Sequence, residues 1–170
     1  MKVFFGAAIQ GKQDRVERLE INTALIQAIK DTGSTVASEH VLGTNFNETT
    51  SLLEQALGTL PPAGMERTVI VRNAMIAFIE GDIDAAIFEV SIPSLGTGIE
   101  IAHAYLRPRM NLKEIPILLL YQKDYWPNNL SSMIRGLTLE SASSLALKEY
   151  SSPEEAKRFI AEFLHMVAKK

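Results

Sequence analysis

Phe88-Glu89-Val90-Ser91-Ile92-Pro93-Ser94-Leu95-Gly96-Thr97-Gly98-Ile99-Glu100 reads as a strand end, a tight glycine-rich loop and the first turn of a helix. The run over residues 84–90 is short and apolar, as a strand covered on both faces of a parallel sheet should be. Pro93 ends it, because proline brings no N–H to a ladder and fixes its own φ. Ser94, Gly96 and Gly98 let backbone N–H groups turn outward without side chains to shield them. A helix beginning near Gly98 would aim its positive dipole end at the same spot, which suits an anion and most often a phosphate. Glu100 then falls in the first helical turn, where the dipole favours its ionised form. Acidic residues in first turns also serve simply as dipole complements, and glycine-rich loops also serve simply to turn the chain.

Outward from this stretch, strands and helices alternate. Residues 2–8 form an apolar strand that leaves through Ile9-Gln10-Gly11-Lys12. Residues 14–30 are an amphipathic helix with Ile21, Leu25 and Ile29 on one face, stopped by Asp31-Thr32-Gly33. A second strand spans 35–41, ending in Ser38-Glu39-His40-Val41, and helices follow over 49–57 and 66–80. The intervening 58–64, with Pro61-Pro62, is a loop inside the domain, since neither half of the chain is a full domain. After the central stretch come a helix over 98–106, a strand over 115–121, a short helix over 130–136 and a strand over 144–150. Ser151-Ser152-Pro153-Glu154 opens a last helix, whose Ala156, Phe159, Ile160, Phe163, Leu164 and Val167 turn inward.

Such alternation means a parallel sheet with helices on both faces. Five strands suggest a flavodoxin-like (Rossmann-like) α/β fold, in which the first and third strands are neighbours at the topological switch point. Ligands of that fold bind outside the carboxyl ends of the strands, at the switch. The loops meeting there are Ile9-Gln10-Gly11 and residues 93–98, so the fold and the local anion argument converge on one place.

With 170 residues, 46% hydrophobic and 22% charged, the chain fits one ordinary globular domain over 1–170. A net charge of −3 argues against nucleic-acid polymers and anionic membranes as partners. No apolar run reaches the roughly 20 residues of a membrane span. The chain enters a strand at once, without the basic region of a signal peptide, and it has no cysteine, so a cytoplasmic protein is the default expectation.

Phe88-Glu89-Val90-Ser91 through Glu100, with Ser38-Glu39-His40-Val41 and Leu130 to Gly136, resembles the nucleoside 2-deoxyribosyltransferase superfamily. Within it, the 2'-deoxynucleoside 5'-phosphate N-hydrolases are the branch most similar to this chain; they split a nucleotide into base and sugar phosphate. The similarity runs from the first strand to about Gly136. It implies that Glu100 is the catalytic glutamate at the anomeric carbon, that Ser94 and Gly96 hold the 5'-phosphate with Gly98 in the same loop, and that Ser131 reaches the phosphate of a neighbouring subunit in a homodimer. It further implies a nucleoside pocket lined by Phe4, Ile9, Gly11, His40 and Met133; no cofactor or metal is expected. Two positions depart from the family pattern. Phe4 stands where the family has a tyrosine, and the family's aspartate on the helix before the central strand falls on Asn73 or Met75. Glu66, near the start of that helix, is a possible replacement acid, and Gln10 replaces a frequent arginine.

Three functions stay open at this level: a glycosidase acting on a (deoxy)nucleoside 5'-monophosphate, a transferase exchanging bases on deoxyribose, and a nucleotide-binding homologue without catalysis. For single residues the plain alternatives are equally clear. His40 also suits a polar loop end, Met133 suits a core, and Arg135 suits an ion pair. His103, three residues beyond Glu100, lacks a second ligand at metal spacing.

Overall fold

The computed structural model describes residues 1–8, 15–39, 46–125, 129–140 and 144–169. Five strands, β1 (Lys2–Ala7), β2 (Thr35–Val36), β3 (Ala85–Glu89), β4 (Ile117–Gln122) and β5 (Leu145–Tyr150), pair in parallel in the order β2-β1-β3-β4-β5. This is the flavodoxin-like order, with β1 beside β3 at the switch point. In that register Gly6 pairs with Phe88 and Ala7 with Glu89, so both strands reach the carboxyl edge together.

Alternation along each strand sorts the two faces. Val3, Phe5, Ala85 and Ile87 point to one side, where α1 (Arg15–Asp31) and α6 (Pro153–Val167) cover them with Leu25, Ile29, Ile160 and Leu164. Phe4, Ala86 and Phe88 point to the other, against Ile79 of α3 (Met65–Glu80) and Ile101 of α4 (Leu95–Tyr105). α2 (Phe46–Leu57) lies on the outside of α3 in a small cluster of Leu53, Leu60 and Met75. α5 (Ser132–Glu140) closes the far side of this face through Ile134 and Leu137. A 3-10 turn, Arg107–Met110, follows α4. There the buried Arg107 guanidinium donates to the carbonyls of Ile79 and Gly81 at the end of α3, which would otherwise lack partners. α6 is capped as the sequence indicates, with Ser152 Oγ accepting from the Glu155 amide at 3.2 Å and Glu155 Oε2 accepting from the Ser151 amide at 2.9 Å.

Three boundaries differ from the sequence reading. β2 is two residues long instead of seven, because Ser38 leaves the ladder and its side chain takes over. Ser38 Oγ accepts from the Phe5 amide at 3.0 Å and donates to the Phe5 carbonyl at 2.5 Å, satisfying the edge of β1. α5 runs on to Glu140, through Gly136, which has open space around it. The third concerns α4: it starts at Leu95 and not near Gly98, because Ser94 caps it. Among the described residues, no helix is long and apolar enough to cross a membrane.

Candidate active site

Ser94 decides the geometry of the carboxyl edge. In extended conformation at φ −141° and ψ 125°, it accepts from the Thr97 amide through Oγ at 3.3 Å. Its carbonyl accepts from the Gly98 amide at 3.0 Å. Thr97 and Gly98 are therefore committed, which corrects the expectation that Gly98 offers a free N–H. Among the described residues nothing accepts from the amides of Leu95 and Gly96, the orphan donors that a helix leaves at its start. Gly96 has no side chain to cover them, and a Cβ there would meet nothing closer than Ser94 Oγ at 3.7 Å.

The same three-residue shift moves Glu100 into the second turn of α4, beyond the reach of the dipole argument. Its carboxylate lies back over β1: a Cβ added to Gly6 would come within 2.9 Å of Glu100 Oε2. Glu100 thus stands at the junction of β1 and β3, on the face covered by α3 and α4. Among the described residues no hydrogen-bond donor or cation reaches it, and burial pushes its carboxyl up to about 7. The expectation of an ionised carboxylate favoured by the dipole is corrected: in the free protein the acid and its anion coexist near neutral pH.

Gly6 is the residue that the sequence reading passed over. Its hypothetical Cβ would also meet the Phe88 ring at 2.5 Å, so only glycine lets the ring and the carboxylate share this spot. A lone glycine inside an apolar strand was the available signal.

α3 and α4 both run antiparallel to the strands and lie side by side. His103 Nδ1 of α4 is 2.7 Å from Glu80 Oε1 of α3, which fixes their register. Asn73, seven residues before Glu80, is then level with Gly96, seven before His103. Its side chain is exposed, beside the start of α4. Glu66 is exposed too, but by the same register it lies roughly 16 Å further along the axis than the level of Glu100. It lies seven residues, about 10 Å, before Asn73, one of the two positions on which the family's aspartate falls.

Phe4 is 1% exposed, with its ring centroid 5.8 Å from that of Phe88, so among the described residues it packs in the core beneath the site, which corrects the expectation that it lines the nucleoside pocket. Met133, 78% exposed, is not core filler. It lines a groove of 690 Å³ between α4 and α5, together with Leu95, Ile99, Tyr105, Ser94 and Ser131. Glu100 does not line this groove; it lies on the opposite side of α4. Ser131 is exposed and opens α5 by accepting the Arg135 amide at 3.0 Å on its carbonyl. Ile9, Gln10, Gly11, His40 and Trp126 lie outside the described residues. No group of three His, Cys, Asp or Glu side chains arranged for a metal occurs among the described residues.

A carboxylate at the β1–β3 switch, beside a capped helix start with open amides, is the layout of doubly wound α/β proteins that receive anionic small molecules at the carboxyl edge. Comparison with known proteins narrows the class. A curated protein of Thermofilum pendens, named "Putative 2'-deoxynucleoside 5'-phosphate N-hydrolase 1", is 30% identical over 156 residues, covering 92% of this chain and 90% of that protein. A protein of the same name from Methanosarcina mazei is 26% identical over 162 residues, covering 95% of this chain and 83% of the relative. The chain belongs to the 2'-deoxynucleoside 5'-phosphate N-hydrolase family. No family model matches the chain, and no solved structure matches it.

Proposed function

We propose that this chain hydrolyses the N-glycosidic bond of a (2'-deoxy)nucleoside 5'-monophosphate, releasing free base and (deoxy)ribose 5-phosphate. The observation that carries this reading is the Glu100 carboxylate over Gly6, one helical turn from the open amides of Leu95 and Gly96. The names of the two relatives agree with it. The 5'-phosphate sits on those amides with the Ser94 hydroxyl beside them, and this grip away from the reacting bond holds the sugar in place. Glu100, ionised, attacks the anomeric carbon as the bond to the base breaks; the base leaves with the electron pair and takes up a proton. Water then cleaves the glycosyl ester, returning the carboxylate and the sugar phosphate. Asn73, exposed beside the start of α4, hydrogen-bonds the departing base in this reading. A second copy of the chain supplies Ser131 to the phosphate, and the apolar groove beside Ser94, with Leu95 91% exposed and Ile99 53% exposed, is the face on which the homodimer closes.

Incubation with a panel of nucleoside 5'-monophosphates, following free base by chromatography, tests the reading. Base release that Glu100→Ala abolishes while nucleotide still binds supports it. Absence of release from every nucleotide refutes it. A second reading, a nucleotide-binding homologue without turnover, is favoured by Asn73, whose amide can donate a hydrogen bond but cannot transfer a proton to the leaving base. Base exchange on unphosphorylated deoxynucleosides, faster than hydrolysis, would instead indicate a transferase.

A further inference from the structure

On the opposite face of the sheet from Glu100, the carboxyl edge carries a buried polar cluster that the reaction above does not use. Its centre is Glu89, the last residue of β3 and 1% exposed. Glu89 Oε1 accepts from the Ser91 hydroxyl, from the Ser91 amide at 3.3 Å and from the Tyr150 hydroxyl of β5 at 3.0 Å. Arg18 of α1, 4% exposed, brings Nη1 to 3.6 Å from the same oxygen and donates through Nη2 to the Gln122 side chain of β4. The Arg18 guanidinium also lies over the Tyr125 ring, 3.9 Å from its centroid.

Ser91 converts this cluster into control of the site. The β3–β4 ladder ends where the Val90 amide donates to the Leu120 carbonyl at 2.9 Å. At the next rung no β3 carbonyl is used: the Gln122 amide donates to Ser91 Oγ at 2.7 Å. With its proton given to Glu89, Ser91 Oγ presents a lone pair to Gln122, so the main chain is free to turn through Ile92-Pro93 into Ser94. The start of α4 therefore hangs from a side-chain rung whose orientation Glu89 dictates. Arg18 ties that rung to α1, which follows the β1 loop, and to Tyr125 in the loop after β4.

We propose that Glu89, Ser91 and Arg18 are positioning residues for the anion-binding turn at Ser94–Gly96, holding it in register with the ends of β4 and α1. This rests on the proposed function for its substrate, a nucleoside 5'-monophosphate, but not for its geometry. Among the described residues none of the three side chains touches Glu100, Ser94 or Gly96, so their loss is expected to weaken the grip on the phosphate and leave the chemistry at Glu100 intact.

Ser91→Ala, Glu89→Gln and Tyr125→Leu test this against the unaltered protein, with a nucleoside 5'-monophosphate and the matching nucleoside as paired substrates. For the first two, KM for the monophosphate is expected to rise about tenfold, the loss of one hydrogen bond to a charged group, with kcat and the nucleoside's KM within about twofold. Tyr125→Leu, on a half-buried ring, should act in the same direction and less strongly. A purely structural role would lower thermal stability and alter both substrates equally, and that result overturns the proposal. If Ser91→Ala and Glu89→Gln do not fold, Tyr125→Leu decides, and an unchanged ratio of the two KM values overturns it. Amide resonances of Leu95 and Gly96 give a readout independent of turnover. They are expected to shift in Glu89→Gln with Gly136 unmoved, and unshifted resonances refute the positioning role. A protein that releases no base but shows these shifts would fail the proposed function and keep the positioning claim.

Discussion

Gly6→Ala is the sharpest single perturbation the structure offers. The new methyl carbon would sit 2.5 and 2.7 Å from two atoms of the Phe88 ring and 2.9 Å from Glu100 Oε2. Ordinary carbon contacts need ~3.5 Å or more, so the ring must retreat by about 1 Å into a fully buried cluster. Overpacking of this kind costs about 1–3 kcal/mol. Replacing a strand glycine by alanine returns about 0.5–1 kcal/mol of backbone entropy, which leaves a net loss of about 1–2 kcal/mol in urea denaturation. The larger effect falls on turnover. A displacement of about 1 Å at the reacting carboxylate is expected to lower kcat about a hundredfold with the nucleotide still bound. Adding Phe88→Leu separates the two effects: it makes room for the methyl and restores stability, while the crowded carboxylate keeps kcat low. Unchanged stability and unchanged kcat in Gly6→Ala would refute the placement of Glu100 over β1.

Glu100 itself sets the pH behaviour. Burial lifts its carboxyl from an ordinary value of 4.5 to about 7, so the folded protein holds this proton where the unfolded chain has lost it. Its stabilising contribution is full below the ordinary value and is lost as pH rises through about 7; Glu100→Gln should remove that slope and be the more stable protein at pH 8, measured by urea titration at pH 5 and pH 8. If the carboxylate is the nucleophile, kcat/KM should rise with pH through an apparent pKa near 7, and the limb in kcat should lie higher, because a bound phosphate further disfavours the anion. Ser94→Ala should cost about 1 kcal/mol of stability through loss of the α4 cap, and it should raise KM for the monophosphate more than for the nucleoside. If the proposed homodimer closes on the exposed groove, the unaltered protein should sediment as a dimer and Met133→Asp as a monomer; a monomeric unaltered protein or an unchanged dimer would refute that face.

The strand order and the position of the turn after β3 were legible because both follow from local rules: a doubly covered strand is uniformly apolar, and proline and glycine mark where it turns. The start of α4 was misplaced for the same reason, since Gly96 and Gly98 resemble loop while Ser94, a plain N-cap, outweighs them once its hydroxyl meets the Thr97 amide. Ser38 ended β2 early by a contact 33 residues away, which no window of the sequence contains. The partners of Glu89, Arg18 and Tyr150, lie 71 and 61 residues distant, so no local window of the sequence shows the buried cluster. The ionisation of Glu100 was misread because burial against α3 and β1 is a property of packing, whereas the dipole argument uses helix position alone.

The central claim is that the residue 100 side chain faces the sugar of a nucleotide whose 5'-phosphate rests on the start of α4. The most direct measurement is a crystal structure of Glu100→Gln with a bound deoxynucleoside monophosphate. The account predicts phosphate oxygens ~3 Å from the Leu95 and Gly96 amides, and the anomeric carbon about 3–3.5 Å from the residue 100 side chain. A nucleotide bound with its phosphate away from α4, or with its sugar on the far side of the helix from Gly6, would contradict it.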